Sequence, residues 1–275
     1  MNHKEIKTGR NLPLATAVSL GLALTLITSL WFDRWVFAFL VALVAYFAMR
    51  EMFPLLDISD ISIQYLLYLT SILFPLLTYA GDISQTLPLV FPVVFLGVLL
   101  ILRSGYENFS HKLGTLLLSI LYIAVLLSFM VDLARYDNGF QLVFSLALLN
   151  SAVDTGGYFA GILFGKRPLF KTLSPKKTIE GLFGSIVLTA LIAVAVIPQL
   201  ISLVLWQSAL LAATAVLFGV VGDLFESALK RERGVKDASD AIPGHGGVLD
   251  RIDALLFNAP IVWFMFIVVF EAGIL

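Results

Sequence analysis

Two pairs of carboxylates, Asp223 with Glu226 and Asp250 with Asp253, stand three residues apart at the borders of apolar runs. On a helix that spacing puts both members of a pair on one face. Four such acids converging near two helix ends could hold hard divalent cations, which prefer oxygen ligands and, for magnesium, leave places for water and phosphate. The same spacing suits a solvated ion-pair network with Lys230, Arg231 and Arg251, and spacing alone leaves both readings open. The 32 residues from Gly222 to Asp253 carry 12 of the chain's 37 charges, in a sequence that is 59% hydrophobic and 13% charged, so this is where chemistry is sought.

Between the pairs, Pro243-Gly244-His245-Gly246-Gly247 is a glycine-rich loop. Its glycines allow positive φ and close approach of backbone amides to an anion, although such runs are also simply turns. His245 could act as acid or base, orient a phosphate, or serve as a structural hydrogen bonder, and its type alone assigns no role. An earlier polar loop presents Lys171, Ser174, Pro175, Lys176, Lys177 and Thr178 ahead of Glu180. Lysines and hydroxyls at a helix start suit a polyphosphate, because free amides and the dipole favour negative charge there. Anchoring against anionic lipid explains the same lysines more simply when the loop is taken alone.

Asp154 lies inside an apolar run, within Asn150-Ser151-Ala152-Val153-Asp154-Thr155-Gly156-Gly157-Tyr158. A carboxylate at depth costs about 2.5–3.5 kcal/mol on insertion scales, so it should face protein or a wet cavity. Gly156, Gly157, Gly161 and Gly165 let a ligand or a neighbouring helix come close, and Gly161 reads as a packing position.

The elements that must position these residues are long apolar runs. With a mean hydropathy of +0.96 over 275 residues, the chain reads as an all-α polytopic membrane protein, a bundle of about nine transmembrane helices with a cytoplasm-facing polar site. Strands are excluded as spans because the runs are continuous rather than alternating. The nine spans are placed near 12–30, 35–52, 63–80, 87–102, 113–131, 139–164, 179–197, 203–229 and 252–273. Pro13, Pro54 and Pro198 mark helix ends, whereas Pro75, Pro92 and Pro260 fall inside spans. With the N-terminus cytoplasmic and the C-terminus outside, only Arg34 and Arg135 of the 18 basic residues lie outside, the asymmetry expected of a cell-membrane protein. The basic start is followed by a long apolar run without a clear small-residue cleavage site, which favours a retained first helix. No linker divides the chain. It reads as one membrane domain, 1–275, with N-terminal and middle spans in 1–138 and the chemistry in 139–275. Cysteine is absent, which removes disulfides, thiolate metal sites and a cysteine nucleophile.

The run Ser227-Ala228-Leu229-Lys230-Arg231, then Lys236-Asp237, Pro243, His245-Gly246-Gly247 and Asp250-Arg251-Ile252-Asp253 resembles the C-terminal motif of phosphatidate cytidylyltransferases, or CDP-diacylglycerol synthases. Asp154-Thr155-Gly156-Gly157-Tyr158 with Gly161, and Ser174-Pro175-Lys176-Lys177-Thr178-Ile179-Glu180-Gly181, resemble the same family. The specific motifs lie within roughly 150–257, and the N-terminal half agrees only as a multispan region.

The resemblance implies reaction of CTP with phosphatidic acid to give CDP-diacylglycerol and pyrophosphate, dependent on Mg2+, one ion or two. It implies Asp223, Asp250 and Asp253 as metal ligands, with Glu226 and Asp154 as weaker candidates. Ser174, Lys176 and Lys177 would contact the phosphates of CTP. Lys230, Arg231, Lys236 and Arg251 would bind the triphosphate or the lipid phosphate, and His245, Gly246 and Gly247 would belong to the substrate loop. Enzymes of this kind are commonly homodimers; a lipid bilayer is the expected setting, and no nucleic-acid partner is expected. A transporter is the competing reading from nine spans and a buried acid. Its polar residues should be spread over both faces, whereas here they are one-sided. Another membrane transferase, such as a CDP-alcohol phosphotransferase or a polyprenol kinase, is opposed by the ordered PGHGG and LDRID runs.

Overall fold

Residues 21, 24–81, 86–104, 108–235, 238–239 and 246–270 are described by a computed structural model of the chain. After a helical stretch at 24–32 come helices α1 (Arg34–Leu56), α2 (Ile61–Ala80), α3 (Thr86–Ser104), α4 (Phe109–Arg135) and α5 (Gly139–Phe164). A short hairpin follows, β1 (Pro168–Phe170) and β2 (Ser174–Thr178), and then α6 (Ile179–Ala195), α7 (Ile197–Leu200), α8 (Leu205–Glu232) and α9 (Leu249–Val269). In hydrocarbon a backbone must satisfy its own polar groups, so continuous apolar runs become helices.

Among the described residues, six helices are long and apolar enough to cross a membrane: α1, α2, α4, α6 continued through α7, α8 and α9. The count of nine spans is therefore not reached among the described residues. Most of the first expected span, 12–30, lies outside them, and α5 is 26 residues long but carries Gln141, Asn150 and Asp154. The all-α expectation holds for the bundle, to which the fold adds one small hairpin whose strands pair antiparallel with Pro168 opposite Thr178 and Phe170 opposite Ser174. Two strands of three and five residues are too short to leave a periodic signal, and Pro175 argued against one. Pro54 does not end its helix: it sits in the last turn of α1, which closes at Asp57 in the left-handed region.

The core is built from α1, α2, α4, α5, α8 and α9, through residues such as Phe37, Met49, Leu67, Ile123, Leu149, Leu211 and Leu256. Glycines let two helix pairs approach closely. On α5 and α6, a Cβ at Gly156 would strike the carbonyl of Gly184, and one at Gly184 would strike Ala160. On α8, a Cβ at Gly222 would lie 2.5 Å from the carbonyl oxygen of Asp253 on α9. Interfaces of small residues, rather than apolar burial, hold helices together in lipid.

The two ends of the bundle differ in kind. At one end Arg34 donates to the carbonyls of Arg135 and Asp137, and Asp132 accepts from Arg135 and from Trp263 Nε1. At the other, Arg103 pairs with Asp60, Arg233 donates to the carbonyl of Leu55, and Lys177 of the hairpin pairs with Asp223 of α8. The expected site residues within the described segments lie toward this second end.

Candidate active site

Hairpin and helix are tied together locally. Thr178 caps α6 by accepting from the Gly181 amide at 3.0 Å, and Ile179 N–H donates to the Arg167 carbonyl. Glu180 accepts from the amides of Lys166 and Arg167. These bonds fix β2 against the end of α5, so the lysines expected at a helix start sit on a strand leading into it. Lys176 is exposed there, while Lys177 is half-buried and forms an ion pair with Asp223 of α8.

That pair lies at the wall of a cavity of about 480 Å³ between α5, the hairpin, α6 and α8. Its polar lining includes Asp154, Ser174, Lys176, Lys177, Thr178, Ser185 and Asp223, and Gly157, Gly161, Gly181 and Gly219 line it as well. Tyr158, Ile162, Leu169 and Leu182 complete it with apolar surface. Asp154 is therefore open to a cavity, as its depth in an apolar run required, and the charges of Asp223, Lys177 and Arg251 act on it.

Behind the cavity the end of α8 meets the start of α9. The Lys230 ammonium is inserted between Glu226 and Asp250, pairing with Glu226 and lying 2.6 Å from Asp250 Oδ1. Glu226 and Lys230 are both buried. The other oxygen of Asp250, Oδ2, accepts from the amides of Gly247 at 2.7 Å and Ala238 at 3.2 Å. Asp253 lies within reach of the charges of Asp223, Glu226 and Asp154. Lys230, placed by the resemblance on a phosphate, is thus held by two internal carboxylates. Arg231 is exposed and donates to the Val235 carbonyl, and Arg251 is exposed. Lys236 and His245 lie outside the described residues. Gly246 has a φ of +82°, the conformation its type permits, and it sits against Asp250.

The donor set is all oxygen, as magnesium prefers, and Glu226 Oε1 is buried without a hydrogen-bond partner. Among the described residues no three acids converge as a ready ligand group. Asp250 has both oxygens engaged and Asp223 is held by Lys177, which leaves Asp154, Asp253 and the free oxygen of Glu226 with capacity to spare, and Asp223 once it is released.

Two residues belong to this end of the molecule without having been expected. Glu51, near the end of α1, is buried and accepts from Ser239 Oγ at 2.6 Å and from the amides of Val248 and Leu249 at 2.9 and 2.7 Å. An acid in an apolar span is itself a signal of function, and Arg50-Glu51 closes such a span. Tyr122 lies in a π-helical turn, Ile120–Val125, within α4. Its hydroxyl is buried and unpartnered, in range of the charges of Asp253, Glu226 and Asp223. Nothing in the sequence around Tyr122 marks it.

Fold and site define a helical, multispan membrane protein with a one-sided site of lysines and carboxylates. The chain matches the cytidylyltransferase family over residues 14–269 and belongs to that family. It is similar to proteins named phosphatidate cytidylyltransferase: 32% identical over 231 residues to that of Staphylococcus epidermidis, covering 82% of this chain and 86% of the relative. Against that of Bacillus subtilis it is 35% identical over 189 residues, 68% and 70% of the two chains. Against that of Mycobacterium bovis it is 36% identical over 156 residues, 57% of this chain and 51% of the relative. The match thus spans about half the length of the mycobacterial relatives.

Proposed function

We propose that this protein transfers the cytidylyl group of CTP to phosphatidic acid, giving CDP-diacylglycerol and pyrophosphate for phospholipid synthesis. The observation that carries the reading is the cavity that sets Ser174, Lys176 and Lys177 of the hairpin opposite Asp154 and Asp223. It supplies cations and hydroxyl for phosphates beside carboxylates for a metal, with an apolar flank at Tyr158 and Ile162. Relatives bearing the name of this activity support it.

In the reaction an oxygen of the lipid phosphate attacks the α-phosphorus of CTP, and the bond from that phosphorus to the pyrophosphate oxygen breaks. The second proton of a phosphomonoester leaves near pH ~6, so the nucleophile is largely a dianion at neutral pH and needs no protein base. Lys176 and Lys177 hold phosphate oxygens, and Ser174 donates its hydroxyl. For Lys177 this means exchanging Asp223 for substrate, which frees that carboxylate as nucleotide enters. Asp223, Asp154 and Asp253 would hold magnesium, which when bound offsets triphosphate charge and stabilises the departing pyrophosphate. Lys230 keeps α8 and α9 in register behind them.

The same reading places this end of the bundle at the cytoplasmic face of the cell membrane, where CTP is found, with the basic loops inside. It carries the homodimer implied by resemblance, which light scattering in detergent checks. The test of the reaction is pyrophosphate release from CTP by purified protein with magnesium and phosphatidic acid, comparing wild type with Asp223→Asn. Release that needs both lipid and metal and is lost in the variant is expected. A folded, lipid-replete wild type that releases none overturns the reading.

A further inference from the structure

We infer that Glu51 is a positioning residue of this site: from the end of α1 its buried carboxylate holds the start of α9 and the segment before it, and so sets the place of Asp250 and Asp253. The inference rests on the proposed function for its kinetic consequences, and on geometry alone for the clamp itself.

The first amides of a helix have no partner within the helix and must find one elsewhere. In α9 and the residues before it, two carboxylates serve them. Asp250 takes the amide of Gly247, and Glu51 takes those of Val248 and Leu249, one on each oxygen. Both acids also reach back across the segment, Asp250 to the amide of Ala238 and Glu51 to the hydroxyl of Ser239. Residues 238–239 and 246–249 are thus gathered onto two side chains, and only one of them belongs to the motif-bearing half of the chain. A buried carboxylate without such donors is strongly unfavourable, so Glu51 and these amides require each other.

Gly247 shows how closely this fit is made. A Cβ there would lie 2.5 Å from Glu51 Oε2 and 2.9 Å from its Cδ, with Glu51 itself 5% exposed and enclosed. The glycine therefore admits the carboxylate of another helix, and the amides of Val248 and Leu249 that a phosphate cradle would use are already taken. Asp250 links the clamp to the chemistry, because its Oδ1 meets Lys230 while its Oδ2 meets the clamped segment.

The test is a double-mutant cycle on the full chain in detergent, with Glu51→Ala, Gly247→Ala and both together, plus Glu51→Gln and Glu51→Asp. Loss of a partner that orients a functional carboxylate typically costs about 10–100-fold in activity or metal affinity. Each single change is expected to lower kcat by that order, with magnesium requirement raised and KM for CTP little changed. The double variant should be no worse than either single one, because both remove the same contact. Glu51→Asp should recover part of the rate. Losses that multiply in the double variant, or a Glu51→Gln protein with wild-type kcat and magnesium dependence, overturn the inference. Amide hydrogen exchange provides an arm independent of turnover: Val248 and Leu249 should lose protection in Glu51→Ala at temperatures where the helices remain folded. Unchanged protection overturns the clamp even if the wild type proves inactive on CTP, an outcome that would separately sink the cytidylyltransferase reading.

Discussion

Lys230 and Asp250 meet at 2.6 Å between the end of α8 and the start of α9, and the same ammonium is shared with Glu226 one helical turn away. One cation therefore joins two helices whose intervening residues form the polar segment. The side chain of Lys230 is 11% exposed and that of Glu226 1%, so both charges depend on each other rather than on water.

Lys230→Met should leave Glu226 and Asp250 without their cation. Removing one partner of a buried pair costs about 3–5 kcal/mol, and a large drop in melting temperature in detergent is expected. Replacing all three by apolar residues of similar volume should restore much of the stability but no activity. A Lys230→Met protein that melts with wild type would show that the network contributes little.

Lys177→Ala should separate activity from stability in the opposite sense. Its side chain is 28% exposed and that of Asp223 29%, so the pair's net worth is at most about 1 kcal/mol. Melting should barely move while KM for CTP rises at least about tenfold, the loss of one charge-assisted phosphate contact being worth about 1.5–3 kcal/mol. Lys177→Arg should recover only part of the affinity.

The glycines of α5 divide into two groups. A Cβ at Gly156 would collide with backbone of α6, and an overpacked interface costs about 1–3 kcal/mol. At Gly161 the nearest atom to a Cβ is Thr178 Oγ1 at 3.5 Å, which is ordinary contact. Gly156→Ala should therefore lower yield and melting temperature, and Gly161→Ala should leave both near wild type. Equal losses would contradict the distinction.

Tyr122→Phe removes a buried hydroxyl that has no partner, and a group of that kind costs about 1–3 kcal/mol when left unsatisfied. Melting is expected to hold or rise. If the hydroxyl serves the acids it faces, turnover falls at the same time, and comparing melting with kcat separates the two contributions.

Much of the architecture was legible because a bilayer imposes one length on every span: the run at 35–52 became Arg34–Leu56 and that at 63–80 became Ile61–Ala80. The convergence of the hairpin loop with the α8 and α9 carboxylates was legible from charge placement. The pairings were not. Spacing left metal ligation and an ion-pair network both open, and the resemblance implied Asp223 and Asp250 as ligands; the fold pairs the first with Lys177 and the second with Lys230 and two amides, partners that interhelical contacts supply without any local periodicity. Glu51 stands 188 residues before Ser239, and only packing joins them. Gly161, read as a packing position, lies near α6 and also lines the cavity.

Tyr158 and Ile162 line the cavity and yet are 57% and 63% exposed on the flank of the bundle. For the proposed lipid substrate this means that the headgroup can be served while the acyl chains stay among their neighbours. Each methylene drawn out of hydrocarbon would cost about 0.8 kcal/mol, a sum that no headgroup contact could offset for two long chains. Encounter is then a two-dimensional event. Its rate follows the mole fraction of substrate in the surrounding film, so diluting the film with inert lipid slows turnover even when the total amount of substrate in the tube is unchanged.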